Sequence, residues 1–154
     1  MQTVKENIEE LFHQYSKAEV TDIEKLPQSG SDRVYFRIKS SEGNYIATHS
    51  SNIKENNTFI GFSRHFKECD CPVPAIYAVN DAQNIYIQED FGDVSLLNEL
   101  EEKGYTEEVY DLFKKSLKAL AHLQIIGDKG LDYEQCITSM EFGKQAIVSD
   151  LLYF

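Results

Sequence analysis

The chain is short of cysteine, of long apolar runs and of positive charge. Three cysteines among 154 residues (Cys69, Cys71 and Cys136) are too few, and odd in number, for a disulfide framework. No apolar stretch approaches the about 18–20 residues that a membrane-spanning helix needs. The first residues, MQTVKENIEELFHQYSK, are amphipathic and mixed in charge, unlike a signal peptide. A cytoplasmic setting with no membrane partner is the expectation. The 15 Lys and Arg stand against 26 Asp and Glu, a net charge of −11 that argues against non-specific binding to nucleic acid or anionic membrane. Cys69-Asp70-Cys71 has neither the usual zinc spacing nor a second ligand pair, so no metal site is assigned. Internal repeats and low-complexity segments are absent too.

What is present points to one domain's worth of chain with its own core. The hydrophobic share is 42% and the aromatic share 12%, which excludes a disordered chain. Val4, Ile8, Leu11, Phe12 and Tyr15 fall at helical spacing, which predicts a helix over 3–17 with Thr3 as N-cap. Residues 19–26 form a strand closed by Pro27. In 33–40, Val34, Phe36 and Ile38 alternate with Tyr35, Arg37 and Lys39, the pattern of a half-buried antiparallel strand. Residues 44–49 add a third strand. A helix over 54–67 carries Phe59, Ile60, Phe62 and Phe66 inward, and CPVP breaks the chain after it. Residues 75–79 and 85–89 make a hairpin around the turn 80–84.

Past Gly92 the period becomes helical. Ser95 or Asp93 caps a helix with Leu96, Leu97 and Leu100 that ends at Gly104. Thr106 opens a long helix reaching about Ile126, which Gly127 and Gly130 terminate. A last helix starts near Thr138-Ser139, carries Phe142, Ile147, Leu151 and Leu152, and ends on Leu151-Leu152-Tyr153-Phe154. Four terminal apolar residues would lie exposed, so the chain reads as a piece of a longer protein cut within a helix. The order α-β-β-β-α-β-β, then helices, predicts an α+β fold: a five-stranded antiparallel sheet with one inserted helix.

Two segments carry candidate chemistry. Ser29-Gly30-Ser31-Asp32 is a polar turn between strand-like runs, followed by a second hairpin signal at Ser41-Glu42-Gly43-Asn44. Such a turn can lay backbone N–H groups over phosphates; it can equally be a polar hairpin with no ligand. Ile85-Tyr86-Ile87-Gln88-Glu89-Asp90-Phe91-Gly92 is a buried strand running into a connector.

With SGSDRVYFR, NYIATHS and IYIQEDFG in this order, the chain resembles the aminoglycoside-phosphotransferase-like branch of the kinase superfamily. GSDRVYFR, then CPVPAIYAVN and QEDFG, is more narrowly similar to bacterial N-acetylmuramate/N-acetylglucosamine-type sugar kinases. The resemblance spans roughly residues 4–154. It implies a protein-kinase-like amino-terminal lobe over 1–90, which binds the nucleotide, and the hinge and opening helices of a truncated carboxy-terminal lobe over 91–154. It implies ATP and magnesium in the complete protein and a small-molecule acceptor, a sugar.

The resemblance places Ser29, Gly30, Ser31, Asp32 and Arg33 in the phosphate-covering loop, where Gly30 can take positive φ and Arg33 can add charge-assisted bonds. It places Gln88, Glu89, Asp90 and Phe91 in the hinge, where backbone groups near Glu89 and Phe91 would meet the adenine edge. Thr48 or His49 stands where kinases carry a phosphate-pairing lysine. Phosphate affinity then comes from Arg33 or Arg37, and Glu55 is a candidate partner acid on the inserted helix, or else a solvent-facing acid of its first turn. Asp90-Phe91-Gly92 spells a kinase metal-binding motif, but it follows a strand directly and precedes any catalytic loop, so no magnesium is assigned to Asp90.

The four histidines, His13, His49, His65 and His122, are not followed by an H-G-D-type loop. The chain by itself is therefore not expected to transfer phosphate. Two other readings stand beside this one: a non-catalytic, kinase-like binding or regulatory domain, and an unrelated α+β adaptor module.

Overall fold

A computed structural model describes residues 3–28, 30, 32–137, 140–141 and 143–153. Ser29, Ser31, Thr138, Ser139 and Phe142, all used in the sequence reading, lie outside the described residues. The first helix, α1 (Val4–Tyr15), starts at Thr3, whose hydroxyl accepts from the Glu6 N–H while the Glu6 carboxylate accepts from the Thr3 N–H. This reciprocal box satisfies two otherwise orphaned donors.

Five strands follow: β1 (Val20–Lys25), β2 (Val34–Ser40), β3 (Gly43–His49), β4 (Ile76–Val79) and β5 (Ile85–Glu89). They form one antiparallel sheet in the order β1-β2-β3-β5-β4. Helix α2 (Ile53–Glu68) is inserted between β3 and β4. The expected α+β architecture, with its five-stranded sheet and inserted helix, is present.

The sheet has two unlike faces because side chains alternate along each strand. One face presents Phe36, Ile38, Ala47, Ile85 and Ile87 to Ile8, Leu11 and Phe12 of α1, and this is the core. Each buried Ile, Leu or Phe among these contributes about 2 kcal/mol. Tyr15, Tyr45 and Tyr77 extend it, with the Tyr15 and Tyr77 rings stacked at 5.2 Å.

The other face is crossed by α2, whose Phe59 ring lies 5.4 Å from the buried Tyr86 ring. Here the sequence reading needs correction. Ile60 is buried as expected, but Asn56 and Ser63 are buried with it, while Phe59, Phe62 and Phe66 are only half-buried. The Asn56 amide nitrogen is satisfied, donating to the Ser50 carbonyl at 3.1 Å and the Gln83 carbonyl at 2.9 Å, while its buried amide oxygen has no donor among the described residues.

Beyond the sheet, α3 (Leu96–Lys103) is capped by Ser95 and ends at Gly104, whose φ of 65° suits glycine. Helix α4 (Glu107–Ile125) packs on α3. It is fastened to the end of α2 by two histidines, the His65 ring donating to the Gly127 carbonyl at 2.7 Å and the His122 ring to the Cys69 carbonyl at 3.0 Å. A short 3₁₀ turn (Tyr133–Gln135) precedes α5 (Lys144–Tyr153), on which Leu151 and Leu152 are exposed. Among the described residues no helix is long and apolar enough to cross a membrane.

Candidate functional site

The face of the sheet opposite α1 carries the polar residues of the strands. Strand pairing sets Tyr35, Thr48 and Tyr86 side by side, and Arg37, Ile46 and Gln88 in the next row. His49 lies on the other side, level with Val34 and Ile85, so Thr48 is the member of that pair on the charged face. Thr48 is fully buried. It sits beside the Tyr86 phenol, whose pKa is raised by burial and lowered in part by Thr48 and the Arg33 charge. No well-directed hydrogen bond reaches the Thr48 hydroxyl among the described residues.

Two ion-pair clusters flank this row. At one end Arg33 reaches across to α2, where an Nη meets the Glu55 carboxylate at 2.7 Å. Its guanidinium lies 5.2 Å from the Phe59 ring centroid, a cation–π contact. Glu55 is held from behind as well, since the Asn52 amide donates to its second oxygen at 3.1 Å. Asn52 is also the N-cap of α2, its side-chain oxygen accepting from the Glu55 N–H. Glu55 is thus a first-turn acid that also holds a cation. The Arg33 Nε–H is a buried donor with no acceptor among the described residues.

At the other end Arg37 uses both edges of its guanidinium. Nε donates to Asp90 at 2.6 Å and Nη2 to the second Asp90 oxygen at 3.2 Å, while Nη1 and Nη2 donate to Asp93 at 2.7 and 2.8 Å. These hydrogen bonds, Asp93 first and then Asp90, hold Arg37 above its ordinary pKa, and the Arg37 bond holds Asp93 below its own. Asp90 additionally accepts from the Gly92 N–H at 2.8 Å. Arg37 therefore presents no free fork to a phosphate; its two carboxylate partners fill the in-plane directions.

The remaining sequence candidates are placed as follows. Gly30 is exposed, its φ is not in the left-handed region, and a side chain there would meet nothing within 4 Å. Asp32 is exposed. The Glu89 N–H donates to the Ala75 carbonyl. Its carboxylate accepts from the Ala75 N–H at 3.1 Å and from Lys67 at 3.3 Å, which lower its pKa in that order of importance. Gln88 is half-buried, and its side-chain oxygen lacks a donor among the described residues. Phe91 is 61% exposed, and its backbone groups make no hydrogen bond among the described residues.

The structure thus brings Arg33, Thr48, Gln88 and Asp90 to one face and turns the Glu89 carboxylate toward the start of β4. Sequence reasoning missed Asp93 and Phe59. The available signal was a lone arginine in mid-strand, at Arg37, with two aspartates three apart after β5. No protein-family model matches the chain, and no curated protein matches it.

Proposed function

We propose that this chain is the nucleotide-binding part of an ATP-dependent phosphotransferase whose acceptor is a small molecule, a sugar hydroxyl. The observation that carries the reading is topological. A five-stranded antiparallel sheet in the order β1-β2-β3-β5-β4, with one helix inserted after β3 and helices following β5, is the layout expected of a kinase-like amino-terminal lobe. In this reading the phosphates lie at the 29–33 end of the sheet, where Arg33, held by Glu55, is the cation that meets them. The adenine edge meets the connector after β5. With the Glu89 N–H engaged by Ala75, the backbone of Phe91 is the remaining hinge donor and acceptor. ATP would arrive with magnesium; Asp90 is not offered to it, being held by Arg37 and the Gly92 N–H. Phosphoryl transfer also needs a base or orienting aspartate, and no H-G-D-type loop occurs in this sequence.

The test is a titration of the isotope-labelled chain with ATP and magnesium, followed by amide chemical shifts. Saturable shifts confined to residues 30–33 and 88–92 support the reading. No saturable shift, or shifts elsewhere only, would sink it. One observation favours a second reading, a kinase-like domain that binds or regulates without catalysis: Arg37 is engaged by two carboxylates of its own chain, Asp90 and Asp93. Nucleotide binding with no phosphoryl transfer by the whole gene product would select that reading.

A further inference from the structure

Val34, Phe36 and Ile38 face the core, so alternation puts Arg33, Tyr35 and Arg37 on the opposite face of the sheet. The row Arg37-Ile46-Gln88 is the last on that face before the connector 90–93, since β5 ends at Glu89. Four residues of extended chain separate Arg33 from Arg37, about 13 Å. A nucleotide whose base edge meets the connector therefore lays its base over this row, and its phosphates reach back toward Arg33.

Arg37 has committed its edges and kept its faces. Nε and Nη2 donate to Asp90 at 2.6 and 3.2 Å, and Nη1 and Nη2 to Asp93 at 2.7 and 2.8 Å, all directions within the guanidinium plane. A guanidinium held in this way is a flat plate of fixed orientation, and such a plate stacks on aromatic rings. The carboxylates have already ordered it, so a ligand that stacks there does not have to immobilise it. Of the Arg37 side chain 12% remains exposed, and Asp93, bonded to both of its Nη atoms, is 75% exposed, which puts the plate at the surface. One cation against two carboxylates leaves the cluster with a net negative charge. That charge repels a triphosphate and accepts a neutral base, so it favours the orientation with the phosphates at the Arg33 end. Resting on the nucleotide reading, we infer that Arg37 is the stacking platform for the nucleobase, and that it selects a purine over a pyrimidine because the larger ring covers more of the plate.

The test follows the Arg37 Nε–H resonance of the isotope-labelled chain, a proton held by Asp90. The intact chain is titrated with ATP, UTP and inorganic tripolyphosphate, each with magnesium. ATP is expected to move this resonance upfield and saturably, in step with the amides of 88–92, because a proton over the face of a purine ring is shielded. UTP should bind about tenfold more weakly than ATP, and tripolyphosphate should leave the resonance unmoved. Arg37→Lys keeps the charge and loses the plate. It should weaken ATP about tenfold and leave the affinity for tripolyphosphate unchanged. Where that variant fails to fold, the Nε–H resonance and the two nucleotides decide on the wild-type chain. Saturable ATP shifts at 88–92 with an unmoved Nε–H, or an equal Nε–H shift with tripolyphosphate, would overturn the platform and leave the nucleotide reading standing. UTP binding as tightly as ATP would overturn the purine preference. No saturable shift with either nucleotide would remove the nucleotide reading and the platform with it.

Discussion

Replacing Arg37 by methionine is expected to lower folding stability by about 2 kcal/mol. The Arg37 side chain is 12% exposed and that of Asp90 6%, so the variant leaves a nearly buried carboxylate without its cation. Breaking a deeply buried pair costs about 3–5 kcal/mol, and losing an exposed one about 0–1 kcal/mol. This cluster lies between the two limits: Asp93 is 75% exposed, and Asp90 keeps the Gly92 N–H at 2.8 Å. Urea unfolding followed by circular dichroism reads the effect. With a slope of about 2 kcal/mol/M, the midpoint should fall by about 1 M at unchanged slope. Asp90→Asn should shift it substantially and Asp93→Asn least. The double variant Arg37→Met, Asp90→Leu should recover part of the loss, because it removes the stranded charge. An Arg37→Met midpoint within about 0.2 M of wild type, or a larger effect from Asp93→Asn than from Asp90→Asn, would refute the reasoning.

Asn56→Ala removes two buried donors from the carbonyls of Ser50 and Gln83 and should cost about 2 kcal/mol, measured by calorimetry; a loss below about 0.5 kcal/mol would mean water replaces the amide. Gly127→Ala places a Cβ 2.5 Å from the Leu123 carbonyl oxygen and 2.9 Å from the Phe66 ring, so the melting temperature should drop as the α2–α4 junction shifts. An unchanged melting temperature would show that the junction yields freely. Glu89 makes part of the stability acid-sensitive. Its folded pKa lies below the ordinary 4.5, so its contribution is fully present above that value and is lost as pH falls through the lower folded value. Glu89→Gln should flatten the acid limb of the stability profile, and a limb as steep as wild type would remove Glu89 from the account.

Local order was legible in the sequence wherever a local rule applied. Thr3 announces α1, the alternation of Val34, Phe36 and Ile38 announces β2, and Gly104 marks the end of α3. The inner face of α2 was misjudged because apolar spacing alone was counted, whereas Asn56 is buried through bonds to distant carbonyls. The brief 3₁₀ turn at Tyr133–Gln135 leaves no periodic trace. Of the candidate site, the segments were legible but their pairings were not. Arg37 and Asp90 stand 53 residues apart, and no spacing rule links them. Glu55 was placed as either a partner acid or a solvent-facing one; its contact with Arg33 follows from α2 crossing the sheet, a tertiary fact.

Strand β5 is the last of the five in the chain, yet it lies between β3 and β4. Strands β1 to β3 can assemble as a local meander and β4 with β5 as a local hairpin, but joining them closes a long loop through α2. That junction is the slow step expected of non-local pairing. Weakening it at Ala47 and Ile87, which face one another across β3 and β5, should slow folding. A change at Ser40 and Gly43, paired within the meander that forms before the junction, should also slow folding and leave the unfolding rate nearly unchanged; a change there that chiefly speeds unfolding would count against this order of events. During synthesis β3 keeps an open edge until Glu89 has left the ribosome, so the strand that arrives last decides when this central edge stops being available to other chains, and only β1 and β4 remain at the margins.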